Sequence, residues 1–138
     1  MCLYVKDIQK QVATEPIKVY KVLDINDQPP YYPSITYHVG INEPQSEPYP
    51  ETAGKYWVGP GYLHAYTDRE QARSAARSIS WCPETDTVRY KIVEMHIPEG
   101  AAYYWHRLHN EVAAEALEWR PDSPVETGES DCAEDLPF

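Results

Sequence analysis

Phenylalanine is almost missing from this 138-residue sequence, with one Phe against twelve Tyr and four Trp. Nearly every large ring therefore carries a polar handle, which suits pockets and amphipathic surfaces as well as core. Cations are scarce too: 12 Lys and Arg face 22 Asp and Glu, for a formal charge of -10. That field repels phosphate backbones over a Debye length and argues against generic DNA or RNA binding. The three cysteines, Cys2, Cys82 and Cys132, are odd in number and show neither CxxC nor zinc-finger spacing to histidine. A disulfide framework and a structural metal are thus not expected, and a reducing cytoplasm fits. No apolar run has the length of a secretion-signal core or a membrane span, so a soluble cytoplasmic chain is the expectation. Glycine-rich phosphate loops, internal repeats and low-complexity tracts are absent as well.

What remains is a globular composition, 42% hydrophobic and 25% charged despite thirteen prolines, in a length that suits one domain. The charge is uneven. From Arg120 to Phe138 stand six acids, Asp122, Glu126, Glu129, Asp131, Glu134 and Asp135, with one Arg, so half of the net charge lies there. Together with Pro121, Pro124 and Gly128, this reads as a domain over 1–119 followed by a flexible acidic tail over 120–138.

The segment Ile17 to Leu23 alternates apolar and polar residues, which predicts a strand with Ile17, Val19 and Leu23 inward and a break in alternation near Val22. Between Asp24 and Pro60 the chain is proline-rich, with a short strand candidate at Ile35 to Val39; a loop this long usually covers or forms a site. Tyr62 to Tyr66 reads as a strand with Tyr62, His64 and Tyr66 on one face. Thr67 or Asp68 then caps a helix over Asp68 to Ser80, whose Ala72, Ala75, Ala76 and Ile79 form an apolar stripe and whose Arg69, Arg73 and Arg77 point outward. Thr87 to Ile97 is the longest strand candidate and should be central, and Ala101 to Trp105 could add another. Asn110 to Trp119 favours helix by composition, although Ala116 to Trp119 also reads as a closing strand. The expected fold class is α+β, a single compact domain with a mostly antiparallel sheet and one or two helices.

Three groupings could carry chemistry. Tyr31, Tyr32, Tyr37, Tyr49, Tyr56, Trp57, Tyr62 and Tyr66 cluster in and after the proline-rich stretch, where they either stack a planar ligand or weld the loops to the domain. Of the histidines, His64 lies beside two Tyr and just before the helix start; His106 and His109 are spaced i, i+3 but lack a zinc-ligand pattern, so no metal is expected. Glu111 and Glu115 would share a helix face and could hold a ribose hydroxyl, or simply be solvated.

Taken together, Val19-Tyr20-Lys21-Val22, then Gly61 to Thr67 leading into Glu70-Gln71-Ala72, then Val93 to Ala101 resemble small ADP-ribosyltransferase-like domains. The sequence also resembles small uncharacterised bacterial and phage proteins that start with Met-Cys-Leu. The resemblance runs over roughly residues 17 to 119. It implies a nicotinamide-nucleotide pocket built from a His or Arg on the first core strand, a Ser, Thr or Tyr on a second strand and a late Glu. The first position falls on Tyr20 or Lys21, neither of which is the His or Arg of that family; Tyr62 or Tyr66 matches the second, and Glu111 or Glu115 the third. A pocket that binds NAD or a related nucleotide without turning it over is what these residues imply.

The functional expectation is therefore a binding protein for a nucleotide or similar planar small molecule. Tyr20, Tyr62 and Tyr66 would contact the ring, His64 would orient it, Arg69 or Arg73 would pair phosphate, and Glu111 or Glu115 would hold the sugar. A second reading is an acidic interaction or inhibitory module, of phage or mobile-element kind, whose tail engages a basic protein. No direct nucleic-acid or membrane partner is expected. Exposed aromatics leave room for a homodimer, with no heptad seam to specify one.

Overall fold

A computed structural model of the chain describes residues 3–4, 10–29, 36–44, 57–58, 62–78, 87–106 and 110–131. Two long strands form its centre. β3 (Ile17–Asp24) pairs antiparallel with β7 (Thr87–Ile97) along its full length, from Ile17 opposite Ile97 to Asp24 opposite Tyr90. Both are rich in β-branched and aromatic residues that fit a pleated surface. β6 (Leu63–Tyr66), β9 (Glu111–Ala114), β8 (Ala102–His106) and β2 (Gln11–Val12) extend the sheet beyond β3. Beyond β7 come β10 (Leu117–Trp119) and β4 (Gly40–Asn42), and β11 (Val125–Asp131) pairs with the first half of β7. β1 (Leu3–Tyr4) and β5 (Trp57–Val58) form a separate pair. One helix, α1 (Arg69–Ser78), lies against β3, β6, β7 and β11. The class is α+β, strongly weighted to antiparallel strand, with one helix among the described residues.

The sheet cannot be flat. β9 and β10 are four places apart in the strand order, which at the usual spacing is roughly 19 Å. Yet only Glu115 and Ala116 join them, and the three Cα steps from Ala114 to Leu117 reach at most about 11 Å. The sheet therefore curls, and one face becomes an interior. Val19, Leu23, Leu63, Ala65, Val93, Met95, Ile97, Val112, Ala114 and Leu117 fill it, joined by Ala13 and Tyr103 from one side and Tyr37 from the segment before β4. The opposite face is closed by α1, where Ala72 and Ala76 are fully buried against Val22, Tyr66, Tyr90 and Ile92. Alanine on the helix permits this close approach.

Several sequence expectations shift. Val22 breaks no alternation; it faces α1, and the unexpected interior residue is Lys21, which is buried. The strand expected at Ile35 to Val39 is instead Gly40–Asn42, within the described residues, and buried Asn42 anchors it. The Asn42 side chain accepts from the His38 N–H at 2.9 Å and donates to the carbonyls of His38 at 2.9 Å and Leu117 at 3.3 Å. Asn110 to Trp119 is not helical. Asn110 takes a left-handed backbone, and the two strands that follow pair with four neighbours between them, a tertiary gain that overrides weak helix propensity.

The acidic segment departs most from expectation. Val125 to Asp131 forms seven register pairs with β7, so the sheet continues past residue 119. Gly128 sits opposite Tyr90, and a Cβ there would overlap the phenol. Its lack of a side chain is what lets the Tyr90 ring lie across β11. Residues 132–138 lie outside the described ones, as do Tyr31, Tyr32, Tyr49, Tyr56, His109 and all three cysteines.

Candidate functional site

Directly opposed residues in an antiparallel sheet share a face and stand about 5 Å apart. Glu94 of β7 pairs with Tyr20 of β3, Tyr20 with Tyr66 of β6, and Tyr66 with Glu111 of β9. The four make one transverse row on the α1 side of the sheet. Tyr20, Tyr66 and Glu111 are each one of the two candidates that the sequence offered for its three positions, and the register brings these three into line. A second row, one step towards the end of β7, joins Glu118, His96 and Lys18.

The first turn of α1 overhangs these rows. Asp68 caps the helix, its carboxylate accepting the Glu70 N–H at 3.2 Å and its carbonyl the Ala72 N–H. This fixes Arg69 above the sheet, with its guanidinium 5.2 Å from the centre of the Tyr20 ring. Glu94 gathers the local cations: Arg69 lies 3.9 Å and Lys18 3.6 Å from its Oε1. The carboxylate side chain is 14% exposed, whereas Arg69 and Lys18 are 43% and 56% exposed. Two cations are thus presented to solvent by one sheltered acid. Burial, followed by the positive charge of Arg120, holds His96 below the usual histidine range, so its ring is neutral at pH 7. Its Nδ1 is buried and has no hydrogen-bond partner among the described residues.

Comparison with family models, curated protein sequences and solved structures finds no match. The site is therefore read from its own geometry.

Not every residue singled out in the sequence is placed to meet a ligand. His64 and Tyr66 are only 4% and 7% exposed, and Tyr66 belongs to the core beneath α1. Tyr62 meets Tyr104 edge to face at 5.6 Å. Arg73 is not an outward cation: its Nε and Nη2 donate to the two carboxylate oxygens of Glu126 at 2.7 Å each, and Nη1 to Glu70. This bidentate pair fastens α1 to β11 and holds the Glu126 carboxyl below its ordinary range. The acidic stretch thus meets this chain's own arginine. Glu115 is also committed, accepting the Ala102 N–H at 2.8 Å, and it shares no helix face with Glu111.

Glu94 and Lys18 were missed because each looks like an ordinary outward residue of its strand. Lys18 stands two residues from Tyr20 on β3 and shares its face by strand periodicity, whereas only the cross-strand register brings Glu94 beside Tyr20. A separate open cavity of about 430 Å³ lies at the other end of β7, lined by Ile25, Arg89, Tyr90, Lys91, Thr127 and Gly128. Of its two cations, Arg89 and Lys91, Lys91 is paired with Asp27 at 2.6 Å. Among the described residues no group of His, Cys, Asp and Glu is arranged to hold a metal, and no helix is long and apolar enough to cross a membrane.

Proposed function

We propose that this chain binds a phosphate-bearing planar small molecule, a nucleotide or dinucleotide of the NAD type, at the start of α1. The observation that carries the reading is Arg69, set over Tyr20 and held with Lys18 by the sheltered Glu94. Two presented cations on a chain of charge -10 concentrate positive potential where the net field is negative, which favours a small anion over a long polyanion. Arg69 and Lys18 would take the phosphate, the Arg69 guanidinium with its planar fork. Tyr20 offers a partly buried ring, and Glu111 stands two strands away in the same row, at a reach suited to the hydroxyls of a sugar. Tyr66 and His64 serve as the packed floor rather than as stacking surfaces. The reading is one of binding without turnover, since neither Tyr20 nor Lys21 is the His or Arg that the resemblance calls for at the first-strand position.

Thermal unfolding of the purified chain against nucleoside phosphates, dinucleotides and cyclic nucleotides tests this. A true ligand at a hundredfold its Kd stabilises by about 2.7 kcal/mol, a shift of several degrees for a domain of this size. The shift should vanish in Arg69→Ala while the unliganded melting temperature stays within about a degree of wild type, as expected of an exposed side chain. No shift with any member of the panel, or a shift that survives Arg69→Ala, would refute the assignment.

A further inference from the structure

Between β3 and β6 the sheet has a seam. β3 pairs with β7 at eight positions and β6 with β9 at four, but β3 and β6 meet in one register pair, Tyr20 with Tyr66. The backbone direction of β6 follows from its other neighbour. The Thr67 N–H bonds the Asn110 carbonyl, so in an antiparallel ladder Ala65 and Leu63 direct their polar groups to β9, whereas Tyr66 and His64 direct theirs to β3. Continuing the register from Tyr20 and Tyr66 would set Val22 opposite His64, and no such pair forms. The Lys21 Nζ donates to the His64 carbonyl at 2.6 Å instead. A side chain from the interior thus replaces a rung of the ladder.

Lys21 makes this contact from inside the curled sheet, 6% exposed. Its cross-strand partner in β7 is the fully buried Val93, and the Tyr37 ring lies 5.2 Å from its Nζ. Two titratable groups approach it. Tyr37 stays neutral, because burial raises its phenol well above the ordinary range. The His64 imidazole belongs to the opposite face of β6, so that only its carbonyl is offered. Among the described residues no carboxylate pairs with the amine, and the His64 carbonyl is its one hydrogen-bond acceptor. An uncharged amine spends one of its two weak donors on this bond and carries no charge to solvate. An ammonium brings three donors and a charge that an apolar interior does not solvate.

We infer that the β3–β6 seam is a proton-sensitive joint, closed around the uncharged amine of Lys21 and loosened when that amine takes up a proton. Burial without a counter-charge brings its titration down to about 7, inside the range a cell explores. Because Tyr20 and Tyr66 are the one pair that spans the seam, its loosening changes the floor beside Arg69. The joint itself does not depend on the ligand reading.

The test combines two measurements on the full chain. NMR of the lysine side chains across pH 5–11 should show one amine, absent in Lys21→Met, titrating about three units below the others. Amide exchange, corrected for its intrinsic pH dependence, should show protection of Tyr20 and Tyr66 falling at least tenfold between pH 8.5 and 6, while Val19 and Lys21, which pair with β7, keep theirs. Lys21→Met, or Lys21→Gln if the first variant folds poorly, should remove that difference. A native Lys21 amine titrating above pH 10, or seam protection with the same pH dependence in the variant, would overturn the inference; the first needs no variant.

Discussion

The two faces of the central strands are closed by different means. The interior face is shut by curvature: Val19, Val93, Met95 and Ile97 are fully buried, and the one helix among the described residues packs on the other face. The opposite face is shut by α1 over Val22, Tyr66, Ile92 and Tyr90, and its polar rows begin where the helix begins. A curled sheet excludes water along its whole interior, so a charge there, Lys21, has no route to solvation. A ten-residue helix covers part of a face and leaves its margin for Lys18, Tyr20, Arg69 and Glu94. Structural roles and the proposed ligand-facing ones accordingly separate by face.

The largest test of this contrast is a cavity in the interior. Met95→Ala removes a fully buried side chain and should cost about 2–5 kcal/mol, read from denaturant midpoints at unchanged slope. An equal loss from Glu94→Gln, one residue away on the other face, would erase the distinction.

Next is pH. With its amine lowered from 10.5 to about 7 in the folded chain, Lys21 lets the unfolded chain bind more protons between those values. Its effect is therefore absent above about pH 10.5, grows as the pH falls towards 7, and levels off below. Lys21→Met should be more stable than wild type at pH 7 by several kcal/mol and about equal to it at pH 11, as judged by urea unfolding. His96 acts in the same direction over a lower window. Its depressed titration means stability is lost as the pH falls below the ordinary histidine value, and His96→Gln should flatten that part of the curve.

Smaller effects belong to the helix face. Gly128→Ala places a methyl group against the Tyr90 phenol and should destabilise by about 1–3 kcal/mol, with a rearranged Tyr90 signal in NMR. Glu126→Gln should have the smallest effect, a slight drop in melting temperature that shrinks in high salt, because the Arg73 pair it weakens lies at the surface. It should also shrink as the pH falls through the lowered titration of Glu126, where wild type loses the same charge.

The period-two pattern of Ile17 to Leu23 and of Thr87 to Ile97 made the central pair legible, and the Asp68 cap with the Ala stripe did the same for α1. Local signals of this kind need only the neighbouring residues. Lys21 has the same strand parity as the inward Ile17, Val19 and Leu23, but its polar type beside apolar Val22 hid this, because the alternation of residue types gives no sign that α1 buries Val22 on the other face. The strand character of Asn110 to Trp119 depends on β6, β8, β7 and β4, all distant in sequence. Likewise, the tail looked free and the arginines available because Glu126 and Arg73 are separated by 53 positions. Of the site, Tyr20, Arg69 and Glu111 were singled out from sequence, Lys18 follows from its i, i+2 spacing to Tyr20, and Glu94 required the register.

The most direct measurement is an amide-resolved NMR titration of the full chain with ADP at millimolar concentration. Saturable shifts centred on Lys18, Tyr20, Arg69 and Glu94, extending to Glu111 and lost in Arg69→Ala, are expected. Shifts centred on Arg89, Lys91 and Thr127 at the other end of β7, or no saturable shift, would contradict the proposed site.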